Sequence, residues 1–240
     1  MTQLSEVRGV LLDIEGTTSS IRFVYDVMFP FVRSHLDAFL KEHWETESCQ
    51  ACLPLIAVDV QEDPDQWLVG LDLEQQQRKV AESVVGMMDN DIKATGLKQL
   101  QGLIWKSGFQ SGEMVAHLYD DVAPAIQQWR ATDKDVRIYS SGSIGAQKLF
   151  FGHTVAGDLL SKLGGHYDTT TGPKRESESY RKIADDFDCP AEQILFVSDV
   201  LAELDAARDA KMQTALSVRP GNEPVPEPHD HRVIKSFDEL

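Results

Sequence analysis

The second half of this sequence alternates between short apolar runs and longer amphipathic segments. The apolar runs have the length and residue content of strands, and after residue 120 they are DVRIYSS, EQILFVSD, QTALSV and HRVIKSF. Segments with helical periodicity separate several of them, namely GAQKLFFGHTVAGDLLSKLG, SESYRKIADDFD and LAELDAARDAKM. Strands that alternate with helices form a parallel sheet with helices on its faces. We therefore expect an α/β fold whose core is a Rossmann-like parallel sheet.

Another apolar run near the start of the chain, VRGVLLDIEG, predicts a further buried strand that Gly16 closes. The stretch from about residue 21 to residue 119 has a different character. It contains segments with helical periodicity, such as VMFPFVRSHLDAFLKEHW and LEQQQRKVAESVVGMMDNDI, and little strand pattern. We expect residues 1–20 and 120–240 to form the α/β core, with residues 21–119 as a helical domain inserted into it.

Charge and composition argue against several classes of protein. The formal net charge is −16, and such a surface repels nucleic acids and anionic membranes, so neither is an expected partner. No apolar stretch approaches the roughly 20 residues of a membrane helix, and the first residues lack the pattern of a secretory signal. Three cysteines, an odd number, do not form a disulfide framework. We therefore expect a cytoplasmic protein in a reducing compartment.

Polar side chains gather where three of the predicted strands end. The segments LLDIEG, IYSSGS and LFVSDV each pass from apolar residues into small or acidic ones. In an open parallel sheet, ligands bind at the carboxyl ends of the strands. If the three strands are neighbours, one edge of the sheet carries Asp13, Glu15, Ser140, Ser141 and Asp199. The segment TTGPKRES adds Lys174, in a loop that precedes a helix.

Carboxylates that meet at one point repel one another unless a cation lies among them. Mg²⁺ is the natural candidate, because proteins bind it through one or two carboxylates together with a substrate phosphate. The two serines and the lysine can then contact the phosphate oxygens. Asp13 can attack phosphorus and form an aspartyl-phosphate. Glu15, which points the same way in an extended strand, can protonate the leaving oxygen and then activate water.

In order and spacing, the segments DIEGT, YSSGS, the lysine of GPKRES and FVSDV resemble the four motifs of the haloacid dehalogenase superfamily. Most members of that superfamily are Mg²⁺-dependent phosphohydrolases with an aspartate nucleophile. Their first motif is usually Asp-x-Asp, whereas this chain carries Asp13-Ile14-Glu15. This glutamate, together with EGTTSSI, LQGLIWKSGF, IYSSGSIGAQKLFF and KRESESYRKIA, resembles one narrower family, the enolase-phosphatases of methionine salvage. Ser198 stands where that family has threonine and keeps the hydroxyl group.

The resemblance implies a reaction and a role for each matched residue. Enolase-phosphatases enolise 2,3-diketo-5-methylthiopentyl-1-phosphate and hydrolyse the enol phosphate to an acireductone and phosphate. By resemblance, Asp13 is the nucleophile and a Mg²⁺ ligand, and Glu15 is the acid/base, with its backbone carbonyl on the metal. The other implied site residues are Asp199 on the metal and, on the phosphate, Ser140, Ser141 and Lys174. The helical insertion matches the family's cap domain, and the resemblance also implies one Mg²⁺ per chain and a monomer.

Some residues keep a plainer interpretation. Glu203, in LAELDAA, fits a support for the metal ligands and equally a charge in the first turn of a helix, and Asp205 has no clear role. Cys49 and Cys52 form a C-x-x-C without a second pair, so we expect both to be structural. The HDH sequence in the proline-rich segment RPGNEPVPEPHDH predicts a solvated loop rather than a metal chelate.

Two other functions fit the same residues. The first is a Mg²⁺-dependent phosphatase that acts on another small phosphate ester. The second is a catalytically silent regulator that binds a phosphorylated ligand or Mg²⁺ on the same scaffold. The presence of Asp13, Glu15, Lys174 and Asp199 together argues against the silent regulator.

Overall fold

The computed structural model describes residues 7–226 and 228–240. Within them the strands are β1 (Gly9–Leu12), β2 (Asp135–Tyr139), β3 (Gly165–Tyr167), β4 (Ile194–Ser198), β5 (Gln213–Ser217) and β6 (Arg232–Ile234). They form one parallel sheet in the order β3-β2-β1-β4-β5-β6. The α/β fold with a parallel sheet, predicted from the alternation of strand and helix patterns, is confirmed.

The α-helices of the described residues are numbered along the chain. They are α1 (Ile21–Phe23), α2 (Phe29–His43), α3 (Glu47–Gln50), α4 (Leu53–Asp59), α5 (Leu73–Asp89), α6 (Thr95–Ser111), α7 (Val122–Ala131), α8 (Ile144–Gly152), α9 (Ser177–Asp185) and α10 (Leu201–Asp209). A π-helical turn, Val24–Met28, follows α1. None of these helices combines the length and the apolar character needed to cross a membrane.

The strand β1 lies in the middle of the sheet and is buried along its whole length. It pairs with β2 on one side and with β4 on the other, and Leu12 is in register with Ile138 and Val197. The register continues past the end of β1, because the backbone N–H of Asp13 donates to the carbonyl of Val197 over 3.0 Å. The three central strands therefore end at the same level and bring the residues that follow them to one edge of the sheet.

The chain divides into two compact units. The first consists of the described residues up to Val24 together with Val115–Leu240, and it contains the whole sheet. The second, Tyr25–Met114, contains α2 to α6 and no strand.

The second unit has an apolar core of its own. On α2, Val32, Leu36 and Leu40 are spaced four residues apart, so they share one face of the helix and are buried together. The helices α4 and α6 approach closely at Gly96, where a Cβ atom would lie 2.5 Å from the backbone nitrogen of Ile56. The unit is thus held by contacts between helices, in keeping with the helical periodicity of its sequence.

The region around β3 differs from the expectation. The segment GAQKLFFGHTVAGDLLSKLG predicts one long helix, but α8 ends at Gly152 and an irregular stretch follows. Gly157 has a φ of 87°, a left-handed conformation that turns the chain and cannot continue a helix. The strand β3 itself is only Gly-His-Tyr and pairs with β2 alone, at the edge of the sheet. The segment contains no apolar run, so the sequence did not predict a strand there.

Candidate active site

Asp13 is the first residue after β1 and is only 5% exposed. Its oxygen Oδ1 accepts a hydrogen bond from the backbone N–H of Ile14 at 2.8 Å and lies 2.7 Å from Nζ of Lys174. The hydroxyl of Ser198 is 3.3 Å from the other oxygen, Oδ2, and can donate to it. A buried carboxylate is costly without such partners, so these three groups hold it in one orientation at the carboxyl edge of the sheet.

Lys174 lies in the loop between β3 and α9 and its side chain is almost fully buried. Tyr180, on α9, fixes this loop by donating its hydroxyl to the backbone carbonyl of Lys174 at 2.7 Å. The ammonium Nζ lies 2.7 Å from Oδ1 of Asp13 and 2.7 Å from Oε2 of Glu203. Burial alone would lower the pKa of Lys174, but the two carboxylates outweigh it and raise the pKa above its ordinary value. Lys174 is therefore a buried cation between two acids.

Glu203, in the first turn of α10, is the second partner of this lysine. Its carboxylate is buried, and Oε2 lies 3.0 Å from Oγ of Ser198, so Glu203 and Asp13 share the single hydroxyl hydrogen of this serine. Burial, together with the negative charge of Asp13, raises the pKa of Glu203. Glu203 therefore belongs to the buried network, and it is not a solvated helix charge. In the sequence, the feature that indicates a place for Glu203 in this network is its position four residues after Asp199.

Asp199 follows β4 and approaches the turn that comes after Asp13. Gly16 in that turn has a φ of 70°, which favours glycine, and its N–H donates to the carbonyl of Ser19 at 2.8 Å. A Cβ atom on Gly16 would lie 2.2 Å from Oδ2 of Asp199, so only glycine leaves room for this carboxylate. Burial and the negative charges of Asp13 and Glu203 raise the pKa of Asp199 to about 7.

Glu15 is half-buried within the same turn and forms an isolated bridge with Ser19. The hydroxyl of Thr18 closes the turn by donating to the carbonyl of Asp13 at 3.1 Å. From outside the turn, Nε of Arg219 donates to the carbonyl of Thr17 at 3.2 Å. The turn that carries both predicted catalytic acids is therefore held by a hydrogen bond within it and by another from Arg219, which is distant in the sequence.

Arg219 is a further residue of this region that the sequence did not reveal. Its guanidinium is buried and makes two hydrogen bonds to Asp121, of 3.1 Å and 2.7 Å. Asp121 also accepts from the backbone N–H of Phe237 at 2.5 Å. The hydrogen bonds and the burial of Asp121 act in opposite directions, and the pKa of its carboxyl falls below the ordinary value. No motif links these positions, because their contact depends on the folded sheet.

Ser140 and Ser141 follow β2, the neighbour of β1, at the same edge of the sheet. Ser140 is buried, and its hydroxyl accepts a hydrogen bond from the N–H of Gly142 at 3.3 Å, whereas Ser141 is exposed. Neither serine caps the helix that follows, because Ser143 is the N-cap of α8 and accepts from the N–H of Ala146 at 3.3 Å. The hydroxyls of the serine pair are therefore not used to cap α8.

The cysteine pair and the histidine loop lie outside this network. Cys49 and Cys52 are free and buried in the helical unit, and burial raises the pKa of both thiols. The prediction of a solvated loop is wrong for His231, which is buried, with Nε2 3.1 Å from Asp205 and Nδ1 2.7 Å from the hydroxyl of Thr214. The structure thus offers no support for redox chemistry at the cysteines or for a chelate at His231.

The oxygen atoms at this edge of the sheet suit a hard divalent cation. Asp13, Asp199 and Glu203 carry three carboxylates, against the single ammonium of Lys174. Between 7 and 226 and between 228 and 240, no three His, Cys, Asp or Glu side chains are grouped so that they alone could hold a metal. A cation here would need two carboxylates completed by other oxygens, which is how proteins commonly bind Mg²⁺. The residues therefore fit Mg²⁺ better than a metal that prefers nitrogen or sulfur.

Comparison with known proteins assigns the class first. Residues 7–211 match the model of the haloacid dehalogenase-like hydrolases. The structure of the UTR4 protein from Saccharomyces cerevisiae is similar over 98% of this chain and 100% of its own, with a TM-score of 0.79 and 32% sequence identity. The fold, the matched residues and the buried Asp13 site therefore define a haloacid dehalogenase-like hydrolase.

The more specific family follows from the curated relatives. Enolase-phosphatase E1 of Branchiostoma floridae is 46% identical, over 99% of this chain and 84% of its own. Enolase-phosphatase E1 of Stenotrophomonas maltophilia is 43% identical, over 97% of this chain and 98% of its own. The chain belongs to the enolase-phosphatase family, and the expectations of that family and of a phosphatase enzyme are confirmed.

Proposed function

We propose that the protein converts 2,3-diketo-5-methylthiopentyl-1-phosphate into an acireductone and phosphate in methionine salvage, with Mg²⁺ as its cofactor. The observation that carries the proposal is the buried lysine that lies 2.7 Å from both Asp13 and Glu203, with Asp199 beside them. The similarity to proteins named enolase-phosphatase supports the choice of substrate and pathway.

Asp13 is the proposed nucleophile. Its carboxylate attacks phosphorus and forms an aspartyl-phosphate, while the bond from phosphorus to the leaving oxygen breaks. Glu15 gives the leaving oxygen a proton and then removes one from the water that hydrolyses the aspartyl-phosphate. Lys174, Ser140 and Ser141 bind the phosphate oxygens, the lysine by charge and the serines by hydrogen bonds.

One Mg²⁺ per chain would be held by Asp13, Asp199 and the backbone carbonyl of Glu15. When bound, it neutralises the carboxylates and attracts the substrate phosphate into an acidic protein. The turn that Gly16 allows keeps Asp199 close to the backbone that follows Asp13. Asp13 and Asp199 directly follow β1 and β4, and Glu15 lies in the turn after Asp13, so all three belong to the carboxyl edge of the sheet.

The helical unit, Tyr25–Met114, is the proposed cap of the family fold. Enolisation needs a base for a proton on the carbon beside a carbonyl, and Glu15 is our candidate for it. The monomeric state and the cytoplasmic location stay predictions.

The experiment that tests this function measures phosphate release from a generic aryl phosphate, with Mg²⁺ and after thorough chelation. Wild type should release phosphate only with the metal, and Asp13→Asn should lose several orders of magnitude of rate, as expected for removal of a covalent nucleophile. Asp205→Asn is the matched control, because that side chain is 54% exposed and pairs with Arg208 and His231. Turnover of the aryl phosphate would exclude the silent regulator, whereas only the diketone phosphate separates the two phosphatase functions.

A further inference from the structure

Asn222 lies in the loop after β5 and contacts the turn that follows Asp13. Its side-chain Nδ2 donates to the carbonyl of Gly16 at 2.9 Å and to the carbonyl of Ser217 at 3.2 Å. Both partners are acceptors, so the amide is oriented with its nitrogen towards them. Turning the amide over would place Oδ1 against two carbonyl oxygens and would lose both hydrogen bonds.

The other end of this amide is unsatisfied. Oδ1 of Asn222 is buried and has no hydrogen-bond partner among residues 7–226 and 228–240. A buried acceptor without a donor costs about 1–3 kcal/mol, so native structures rarely keep one without a reason. The group that satisfies it must be a hydrogen-bond donor or a cation.

The unsatisfied oxygen points towards the candidate metal ligands. The position that a Cβ atom on Gly16 would occupy lies 3.1 Å from Oδ1 of Asn222 and 2.2 Å from Oδ2 of Asp199. Two acceptor oxygens thus face the same small space beside a glycine. A phosphate oxygen does not suit this space, because it is an acceptor as well. A cation, or a water polarised by one, supplies the missing donor or positive charge.

We propose that Asn222 is a positioning residue for the divalent cation of this site. Its Oδ1 accepts a hydrogen bond from a water molecule on the cation, while its Nδ2 holds the carbonyl of Gly16. One side chain would then couple the turn after Asp13 to the metal. The inference rests on the proposed Mg²⁺ site, and it adds a residue from the proline-rich loop to it.

The test measures the dissociation constant of Mg²⁺ by titration calorimetry, without substrate. Asn222→Ala should weaken binding about 10-fold or more, the usual effect of removing a partner of a metal shell. Asn222→Asp loses the donors but keeps an oxygen and adds a negative charge, so it should bind Mg²⁺ more tightly than Asn222→Ala. Thermal unfolding of each metal-free variant reports whether it folds.

Ser217→Ala is the matched control. The hydroxyl of Ser217 also donates to the carbonyl of Gly16, at 3.2 Å, but it offers no unsatisfied oxygen. Its removal should leave the affinity for Mg²⁺ nearly unchanged. If Asn222 only braces the turn, Asn222→Ala and Asn222→Asp should weaken binding alike, or neither should, and either result overturns the inference.

Two further outcomes also decide the question. If Asn222→Ala does not fold, the comparison moves to Asn222→Ser and Asn222→Asp, and equal affinities for Mg²⁺ overturn the inference. If wild type itself does not bind Mg²⁺, the proposed function fails. If wild type binds Mg²⁺ and Asn222→Ala binds it with the same affinity, only the inference about Asn222 fails.

Discussion

The ammonium of Lys174 lies 2.7 Å from the carboxylate of Asp13, in a part of the protein where both side chains are almost fully buried. The same ammonium contacts Glu203, so one cation serves two acids. An arrangement of this kind is balanced only while all its members are present, because each lost partner leaves a buried charge uncompensated.

Lys174→Met should abolish phosphate release and also destabilise the fold. The change leaves two buried carboxylates without their cation, and breaking a buried ion pair costs about 3–5 kcal/mol. Urea denaturation measures the free energy of unfolding, and phosphate release measures the rate per folded molecule.

The double change Lys174→Met, Glu203→Gln separates the two effects. It removes one of the unpaired charges and should recover part of the lost free energy of unfolding, without recovering phosphate release. Recovery of the rate would show that Lys174 serves only to neutralise Glu203.

Gly16→Ala should weaken Mg²⁺ binding and phosphate release. An alanine Cβ would lie 2.2 Å from Oδ2 of Asp199 and would push this carboxylate away. The matched control is Gly112→Ala, because Gly112 has a φ of 79° and open space where the Cβ would be. Both variants should lose roughly 1–2 kcal/mol of stability through the left-handed backbone. Titration with Mg²⁺ should separate them, and equal affinities would refute the role of Gly16.

Ser198→Ala should slow the reaction, whereas Ser198→Thr should keep most of it. The hydroxyl of Ser198 lies 3.0 Å from Glu203 and 3.3 Å from Asp13, and it accepts from the N–H of Val200 at 3.2 Å. Loss of a hydrogen-bond partner of a metal ligand typically lowers metal affinity or activity about 10- to 100-fold, so we expect a decrease of that size in the rate of Ser198→Ala. A slow Ser198→Thr together with a fast Ser198→Ala would contradict this account.

His166 should make the fold less stable in acid. Burial, with the charge of Lys148, lowers the pKa of His166 from 6.5 to about 4. Between these values the unfolded chain binds more protons than the folded one, so stability falls as the pH falls from 6.5 towards 4. Nδ1 of the ring lies 3.2 Å from Oε1 of Gln147, so neutral His166 donates there. His166→Asn keeps a donor but cannot titrate.

Chemical denaturation at pH 7 and at pH 4.5 tests this prediction. The loss of unfolding free energy between the two values should be smaller in His166→Asn than in wild type. Identical losses would show that His166 does not contribute to the acid sensitivity.

The sequence predicted those features that depend on local pattern. Apolar runs gave the central strands, and the residues at their ends gave Asp13 and Asp199 at one edge of the sheet. Gly16 was recognised as the end of a strand, but the sequence could not show that its missing Cβ makes room for Asp199.

Features that depend on distant parts of the chain were not predicted. The pairing of Lys174 with Glu203 joins a loop and a helix 29 residues apart. Asn222 lies in a proline-rich segment whose composition indicates only a surface loop. The strand β3 lacks an apolar run, because it lies at the edge of the sheet and buries little.

Product analysis with 2,3-diketo-5-methylthiopentyl-1-phosphate tests the central claim most directly. The purified protein is mixed with this substrate and Mg²⁺, and the ultraviolet absorbance of the conjugated enol is followed together with free phosphate. The account predicts acireductone and phosphate in equal amounts, both dependent on Mg²⁺ and both lost after chelation. Hydrolysis of an aryl phosphate without turnover of the diketone phosphate would contradict it and assign the chain to another phosphate ester.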